Sequence, residues 1–273
     1  MSKKTSESSP PVSARQEQFL RAHHRQHHII TLGRLSILIL FLGFWETAAR
    51  LAWIDSFFFS SPSGIVQYLF QMVADRSLFT HTGVTLFETV ASFLLVTVLS
   101  LAAATLLWYQ RGLSSILEPY LVVLNALPKS ALAPLLIVWL GTGANTIIVA
   151  GISVAVFGSI ISLYTGFCQV DSEMCKLIYT LGGSRKDALV KVILPSSIPL
   201  ILSSMKVNIG LSLVGVIIGE FLAARRGLGY LIIYGSQVFQ LNMVITSIII
   251  LCAIAMIFYK LIQSAEHFYR KLY

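Results

Sequence analysis

Six long apolar runs decide what this chain can fold into. They lie near residues 35–54, 84–108, 116–140, 146–166, 197–221 and 243–264. A helix rises ~1.5 Å per residue, so about 20 apolar residues cover the ~30 Å of hydrocarbon in a bilayer. The chain has 273 residues, 56% of them hydrophobic and 12% charged, with a mean hydropathy of +0.78. A soluble domain of that length cannot bury so much apolar surface. None of the runs alternates with the ten-residue period of an outer-membrane strand. The expectation is an all-α polytopic membrane protein with about six transmembrane helices.

The formal charge of +8 is explained by topology and calls for no nucleic-acid partner. With six spans and the N-terminus inside, the inner segments hold Lys3, Lys4, Arg15, Arg21, Arg25, Arg34, Arg111, Lys176, Arg185, Lys186, Lys191, Lys260, Arg270 and Lys271. The outer segments hold Arg50, Arg76, Arg225 and Arg226. This excess puts both termini in the cytosol. Residues 1–34, rich in Ser, Lys, Arg, Gln and His, read as a disordered basic cytosolic tail. The run from Leu35 is too long for a cleaved secretory signal, so the membrane domain is assigned to 35–273. In His23-His24-Arg25-Gln26-His27-His28 the histidines share helix faces at i, i+4, but no structured context supports a metal site. Cys168, Cys175 and Cys252 form no Cys-x-x-Cys pair and read as reduced thiols.

Between the first two spans, Ser61-Pro62-Ser63-Gly64 reads as a turn and cap before an outer amphipathic helix near 65–74. Trp45, Trp53, Trp108 and Trp139 fall near span ends, where aromatic rings anchor. Leu127-Pro128-Lys129 and Pro134 should kink or break the third span. Broken backbone at membrane depth is covered by protein or lines a cavity, so Pro128 and Lys129 are either a packed kink or part of a pathway. A mid-span ammonium also needs a partner or water. The fifth span carries Lys206, Asn208 and Glu220; Lys206 either snorkels inward or pairs across the bundle. Gly215 and Gly219 form a small-xxx-small pair, for close packing within the chain or a subunit contact. Glu46, Glu88, Glu118 and Glu220 are placed near helix ends, Glu220 as a wet outer residue. Pro128, Lys129, Asn208 and Glu220 are the polar candidates for a translocation path.

The segment from about 168 to 195 is a polar, turn-punctuated island between apolar runs. Gly182-Gly183 supplies a left-handed residue ending one short helix. Ser184 can cap a second helix over Arg185–Val192. Lys176, Arg185, Lys186 and Lys191 would keep the outer faces soluble. Leu177, Ile178, Leu181 and Leu189 would form an apolar face with no lipid to cover it, either packed on its own bundle or docked on a partner.

The spacing Gly182…Leu194-Pro195 resembles the cytoplasmic loop of ABC importer permeases, whose pattern is Glu-Ala-Ala, three residues, Gly, nine residues, Ile-x-Leu-Pro. Lys176-Leu177-Ile178, Gly182 and Val192-Ile193-Leu194-Pro195 occupy those positions. Ser61-Pro62-Ser63, Ala133-Pro134 through Gly141-Thr-Gly143, and Gly219-Glu220-Phe221 with Gly227-Leu228-Gly229-Tyr230 resemble other parts of that family, most closely its nitrate/sulfonate/taurine (NitT/TauT) branch. Lys-Leu-Ile in place of Glu-Ala-Ala reverses a charge and enlarges two small residues; Glu173, one turn earlier, is a substitute acid. The resemblance covers most of 44–265 and leaves out the tail.

It implies a type I ABC importer permease fold, multi-pass in a bacterial cytoplasmic membrane. It also implies an ATPase-coupling loop built from Lys176, Leu177, Ile178, Tyr179, Leu181, Gly182, Arg185, Leu194 and Pro195. On this resemblance no cofactor is expected on this chain and no enzymatic activity of its own; ATP and Mg would belong to a partner. The implied partners are two cytosolic ATPase subunits, an extracytoplasmic solute-binding protein and a second copy of the chain. The implied solute is a small anion such as nitrate, a sulfonate or taurine, or a related small metabolite. An ion-gradient-driven secondary transporter, the alternative, would carry intramembrane acid pairs or inverted halves with two broken helices.

Overall fold

The computed structural model describes residues 14–55 and 59–272, and among them every regular element is helical. The chain divides into two compact units, Met1–Ser63 and Gly64–Tyr273. The first carries helix α1, Ala14–Arg50. Its apolar part, Leu32–Arg50, is long enough to span. The helix begins well before the expected first span: Ala14 to Arg34 is helical where a disordered tail is expected. Its upstream part has good helix formers and no Gly or Pro before Gly33, which explains the extension. Residues 1–13 and the side chains of His23 to His28 lie outside the described ones.

The second unit is built on three long helices. With α2 as Pro62–Ala74, these are α3 (Ser77–Tyr109), α6 (Ala144–Cys168) and α9 (Ile198–Ala223). They pack on one another along small residues. A Cβ on Gly215 would sit 2.8 Å from the Gly151 Cα and 3.0 Å from the Ala150 carbonyl oxygen, and one on Gly219 would sit 3.0 Å from the Ile147 Cα. The Gly215/Gly219 pair therefore serves packing of α9 on α6 within the chain, because only hydrogen at these positions lets the backbones meet. Polar groups cross the same seam. Asn208 Nδ2 donates to Ser159 Oγ at 2.8 Å, and between α3 and α6 Ser92 Oγ donates to the Ile148 carbonyl at 3.1 Å.

Helices α4 (Arg111–Ala126) and α5 (Lys129–Leu140) pack on α6, while α10 (Leu228–Gln237) and α11 (Leu241–Leu272) pack on each other and on α9. Helices α4 and α5 pass as a membrane-length pair only together, and they meet at 95°. The break falls at Leu127, whose ψ of 138° is extended, with Pro128 as N-cap of α5. Proline pushes its predecessor out of the helical region, which explains why the break sits there. Pro134, expected to break the span too, lies inside α5. Among the described residues, five helices are long and apolar enough to cross a membrane, or up to six with the bent pair as one. Helix α2, expected over 65–74, starts three residues earlier, and Thr246 Oγ1 of α11 donates to its Ile65 carbonyl at 3.4 Å. Lys206 pairs across the bundle with Glu266 of α11, with its ammonium 6.0 Å from the Tyr259 ring centroid.

Candidate coupling site

Helix α7, Ser172–Thr180, leaves the bundle just beyond α6. Asp171 caps its start, accepting from the Glu173 backbone N–H at 2.9 Å. At its end the Gly182 N–H donates to the Tyr179 carbonyl at 3.0 Å and the Gly183 N–H to the Ile178 carbonyl at 2.9 Å. Gly182 has φ +81°, the left-handed conformation that ends a helix at little cost only for glycine. A Cβ on Gly183 would stand 2.5 Å from Ile178 Cγ2, so the turn requires both glycines.

Helix α8, Arg185–Ala188, follows with a reciprocal cap: the Asp187 N–H donates to Ser184 Oγ, and the Ser184 N–H donates to Asp187 Oδ2 at 2.9 Å. The Ser184 hydroxyl and backbone, then Lys191 at 3.0 Å, hold the Asp187 carboxyl well below the ordinary carboxylate range. The α-helical part is shorter than the expected Arg185–Val192. A π-helical turn, Leu189–Ile193, and a last turn, Leu194–Ser196, carry the chain on to α9 at Ile198. The wider turn accommodates Pro195, which has no N–H to donate. From Arg185 to Ala223 the chain is thus helical but for a turn at Ser197, and it joins the projecting turn to the core helix.

The island has an inner and an outer face. Cys175, Ala188, Leu189 and Ile193 are buried against Ala104, Leu163 and Phe167, with Ile178 and Leu194 packed at the edge. Burial pushes the Cys175 thiol up. Leu189 and Ile178 therefore do not belong to the exposed apolar face. That face consists of Met174, Leu177 and Leu181, with Leu177 59% and Leu181 76% exposed, while Tyr179 lies on the other side of α7 with Cys175 and Lys176. Met174 escaped the sequence reading, although Met174, Leu177 and Leu181 share the i, i+3, i+7 spacing of one helix stripe. Arg185 is not a solubilising surface cation either. Its Nη2 donates to the Trp108 carbonyl at 2.7 Å, and its guanidinium lies 5.4 Å from the Trp108 ring centroid. Lys176 pairs with Glu173 at 2.8 Å, so the substitute acid is engaged by the residue that replaces the family's own.

The polar path candidates separate into two groups. Pro128 is exposed on the bend, and half-buried Lys129 donates to the Asn125 carbonyl at the end of α4, stitching the break. Asn208 is buried in the α6–α9 seam. Glu220 is not wet but wholly buried, accepting from Thr85 Oγ1 at 2.6 Å and from the Gly229 N–H at 2.5 Å. Glu88 is likewise buried within α3 and far from either end of it. Both acids sit among polar side chains from neighbouring helices, which periodicity cannot reveal.

Comparison with known proteins identifies the family. The family model for the binding-protein-dependent transport system inner membrane component matches residues 96–266. A probable ABC transporter permease protein of Haemophilus influenzae is 31% identical over 86% of this chain and 96% of its own length. The riboflavin transport system permease protein RibX of Chloroflexus aurantiacus is 27% identical over 86% of this chain and 88% of its own. The taurine transport system permease protein TauC of Escherichia coli is 27% identical, covering 83% of each. A crystal structure of an amino acid ABC transporter shares the fold, with a TM-score of 0.53 at 17% identity over 77% of this chain and 97% of that one. With its apolar helices, its projecting α7 and these relatives, the chain belongs to the binding-protein-dependent transport system inner membrane component family and is a multi-pass permease subunit of a NitT/TauT-type ABC importer.

Proposed function

We propose that this subunit forms half of a translocation path in a bacterial cytoplasmic membrane, as a homodimer with both termini cytosolic. In this reading two ATPase subunits, which hold the ATP and Mg, grip α7, and an external solute-binding protein loads the opposite side. The observation that carries it is the exposed Met174-Leu177-Leu181 stripe on a capped helix joined to α9 through the Gly182-Gly183 turn and a short helical connector. Monomeric surfaces rarely leave such an apolar ridge uncovered beyond the membrane. Such a connector lets a partner that closes on ATP bias two states of the bundle, because the bias equals its differential affinity for them.

The proposed solute is a small anion or a related small metabolite. The mid-chain cation Lys129 at the broken span supports an anion, and the sequence likeness to a taurine permease agrees. The equal likeness to a riboflavin permease keeps the wider class in view. Pro128 and Lys129 form the proposed path element, while Asn208 and Glu220 hold the bundle around it.

The test is co-purification of the cognate ATPase with the tagged full chain, comparing wild type with Leu181→Glu. Loss of ATPase from the variant, with unchanged thermal stability of the chain itself, is the expected result. Full recovery with the variant would remove α7 as the gripping surface.

A further inference from the structure

At the loop end of the bundle lies a cleft of about 490 Å³ between α3, α4, α6, α7 and α8. Arg111, Arg185 and Lys176 line it, and no Asp or Glu is among the described residues that do. Lys176 is already paired with Glu173, so the two arginines carry the free positive charge. Arg185 is held in place: one N–H donates to the Trp108 carbonyl, and the guanidinium plane lies over the Trp108 and Tyr109 rings at 5.4 and 5.9 Å. Its remaining donors form a fixed fork, which matches the paired oxygens of a phosphate.

A second feature adds backbone donors. Helix α4, 16 residues long, starts at Arg111 in the wall of this cleft, and its N-cap Gln110 supplies no side-chain cap. First-turn N–H groups have no intrahelical acceptor and face outward with the positive end of the helix dipole. The floor is apolar, from Leu107, Phe167 and Ile193. Helices α3 and α6, both long enough to span, end at Tyr109 and Cys168 beside the opening. Headgroup phosphates sit at that depth, and anionic lipids attract arginines there.

We propose that this cleft is a binding site for a phosphate-bearing anion, gripped by Arg111, Arg185 and the α4 N-terminus. The phosphate comes from the headgroup of an anionic phospholipid or from phosphate in solution. The site lies behind α7 rather than on its exposed stripe, so it would be reached whether or not that stripe docks a partner.

Native mass spectrometry of the purified full chain, exchanged into mixed phosphatidylglycerol and phosphatidylcholine, tests it. Thermal shift in lipid-poor detergent with added inorganic phosphate gives the second arm. The variants are Arg111→Gln, the double variant Arg111→Gln/Arg185→Gln, and the control Lys186→Gln/Lys191→Gln, which removes two charges outside the cleft. Retained phosphatidylglycerol that falls roughly fivefold with Arg111→Gln and roughly thirtyfold with the double variant, the control matching wild type, supports the site with a lipid source. A phosphate-dependent shift lost in the cleft variants, without lipid preference, supports it with a solution source. Arg111 is exposed and begins its helix, so its single variant stays informative if the double variant misfolds. Absence of both effects in wild type, or equal loss in the control, overturns the proposal. So does expulsion of the lipid by added ATPase whose capture itself needs Arg111, since the cleft would then be a protein contact.

Discussion

Thr85 and Glu220, 135 positions apart, share a 2.6 Å hydrogen bond in the interior of the bundle. Thr85 Oγ1 also accepts from the Leu228 N–H at 2.8 Å, while Glu220 accepts from the Gly229 N–H. Close by, His81 Nδ1 accepts from the Gly227 N–H at 3.1 Å, and its ring stacks on Tyr230. Together these side chains take up the backbone donors where the chain turns from α9 into α10, at Gly227 with φ +119°. The carboxylate is thus the hub that fixes one end of α10.

Removing that hub strands its donors. Glu220→Ala should destabilise the subunit by about 2–4 kcal/mol, because buried donors left without an acceptor cost their full desolvation. Thr85→Val, which leaves the Leu228 N–H unpaired, should cost about 1–3 kcal/mol. Thermal unfolding of the detergent-solubilised chain measures both; a loss below about 0.5 kcal/mol in each would show that α10 is held by other contacts.

Gly219→Val places methyl groups where the Ile147 Cα already stands at 3.0 Å from a bare Cβ. Separation of α6 from α9 should cost at least about 1–3 kcal/mol, as overpacking does in a close-packed seam. Gly210→Ala, with open space at its Cβ position, should fall within about 0.5 kcal/mol of wild type. A denaturation series on the two variants decides whether the seam is the reason.

Gly182→Val forces a branched residue into the left-handed turn. The penalty is about 1–2 kcal/mol, stored locally between α7 and α8. Faster hydrogen exchange confined to 172–191, with weaker ATPase capture and an unchanged bundle, is the expected pattern. Unchanged exchange there would show that the turn does not set the presentation of α7.

The cap at Asp187 gives a pH dependence with a definite sign. Its folded-state pKa lies below the ordinary 3.8, chiefly through the Ser184 hydrogen bonds and then Lys191. A depressed carboxylate contributes stability that is fully present above 3.8 and is lost as pH falls toward its folded value. Exchange protection of the 184–191 amides should therefore be flat from pH 7 to about pH 5 and decline in acid below that. Asp187→Asn should lower protection across the neutral range and flatten the acid decline; a variant with the wild-type acid profile would assign the transition to another group.

Lys129→Ala removes the cation at the broken span while leaving its backbone intact. Uptake by the assembled importer should fall at least about tenfold for an anionic solute, with assembly preserved. Wild-type uptake kinetics in the variant would assign Lys129 to the Asn125 carbonyl alone.

The parts of the fold that were readable in advance depend on local chemistry. The break at Leu127-Pro128, the turn at Gly182 and the Ser184 cap each follow from residues a few positions apart, and they recur in the structure. The partners of the polar residues were not readable. Glu220 and Glu88 looked like helix-end acids, Arg185 like a surface cation and Leu189 like exposed apolar surface. Each is decided by a neighbour 77 or more positions away or by a face turned toward the bundle.

By itself the sequence determined that this chain spans a membrane by helices, where one span breaks, and that a polar, turn-punctuated island lies between them. It did so because hydrocarbon thickness demands long apolar runs, and because Gly, Pro, Ser and Asp impose their turns locally. Only the tertiary structure decided which faces meet. Helices such as α3, α6 and α9 are apolar nearly all round, so no amphipathic stripe marks the side that packs. The choice falls to scattered glycines, serines and buried acids that become complementary only once the helices lie side by side.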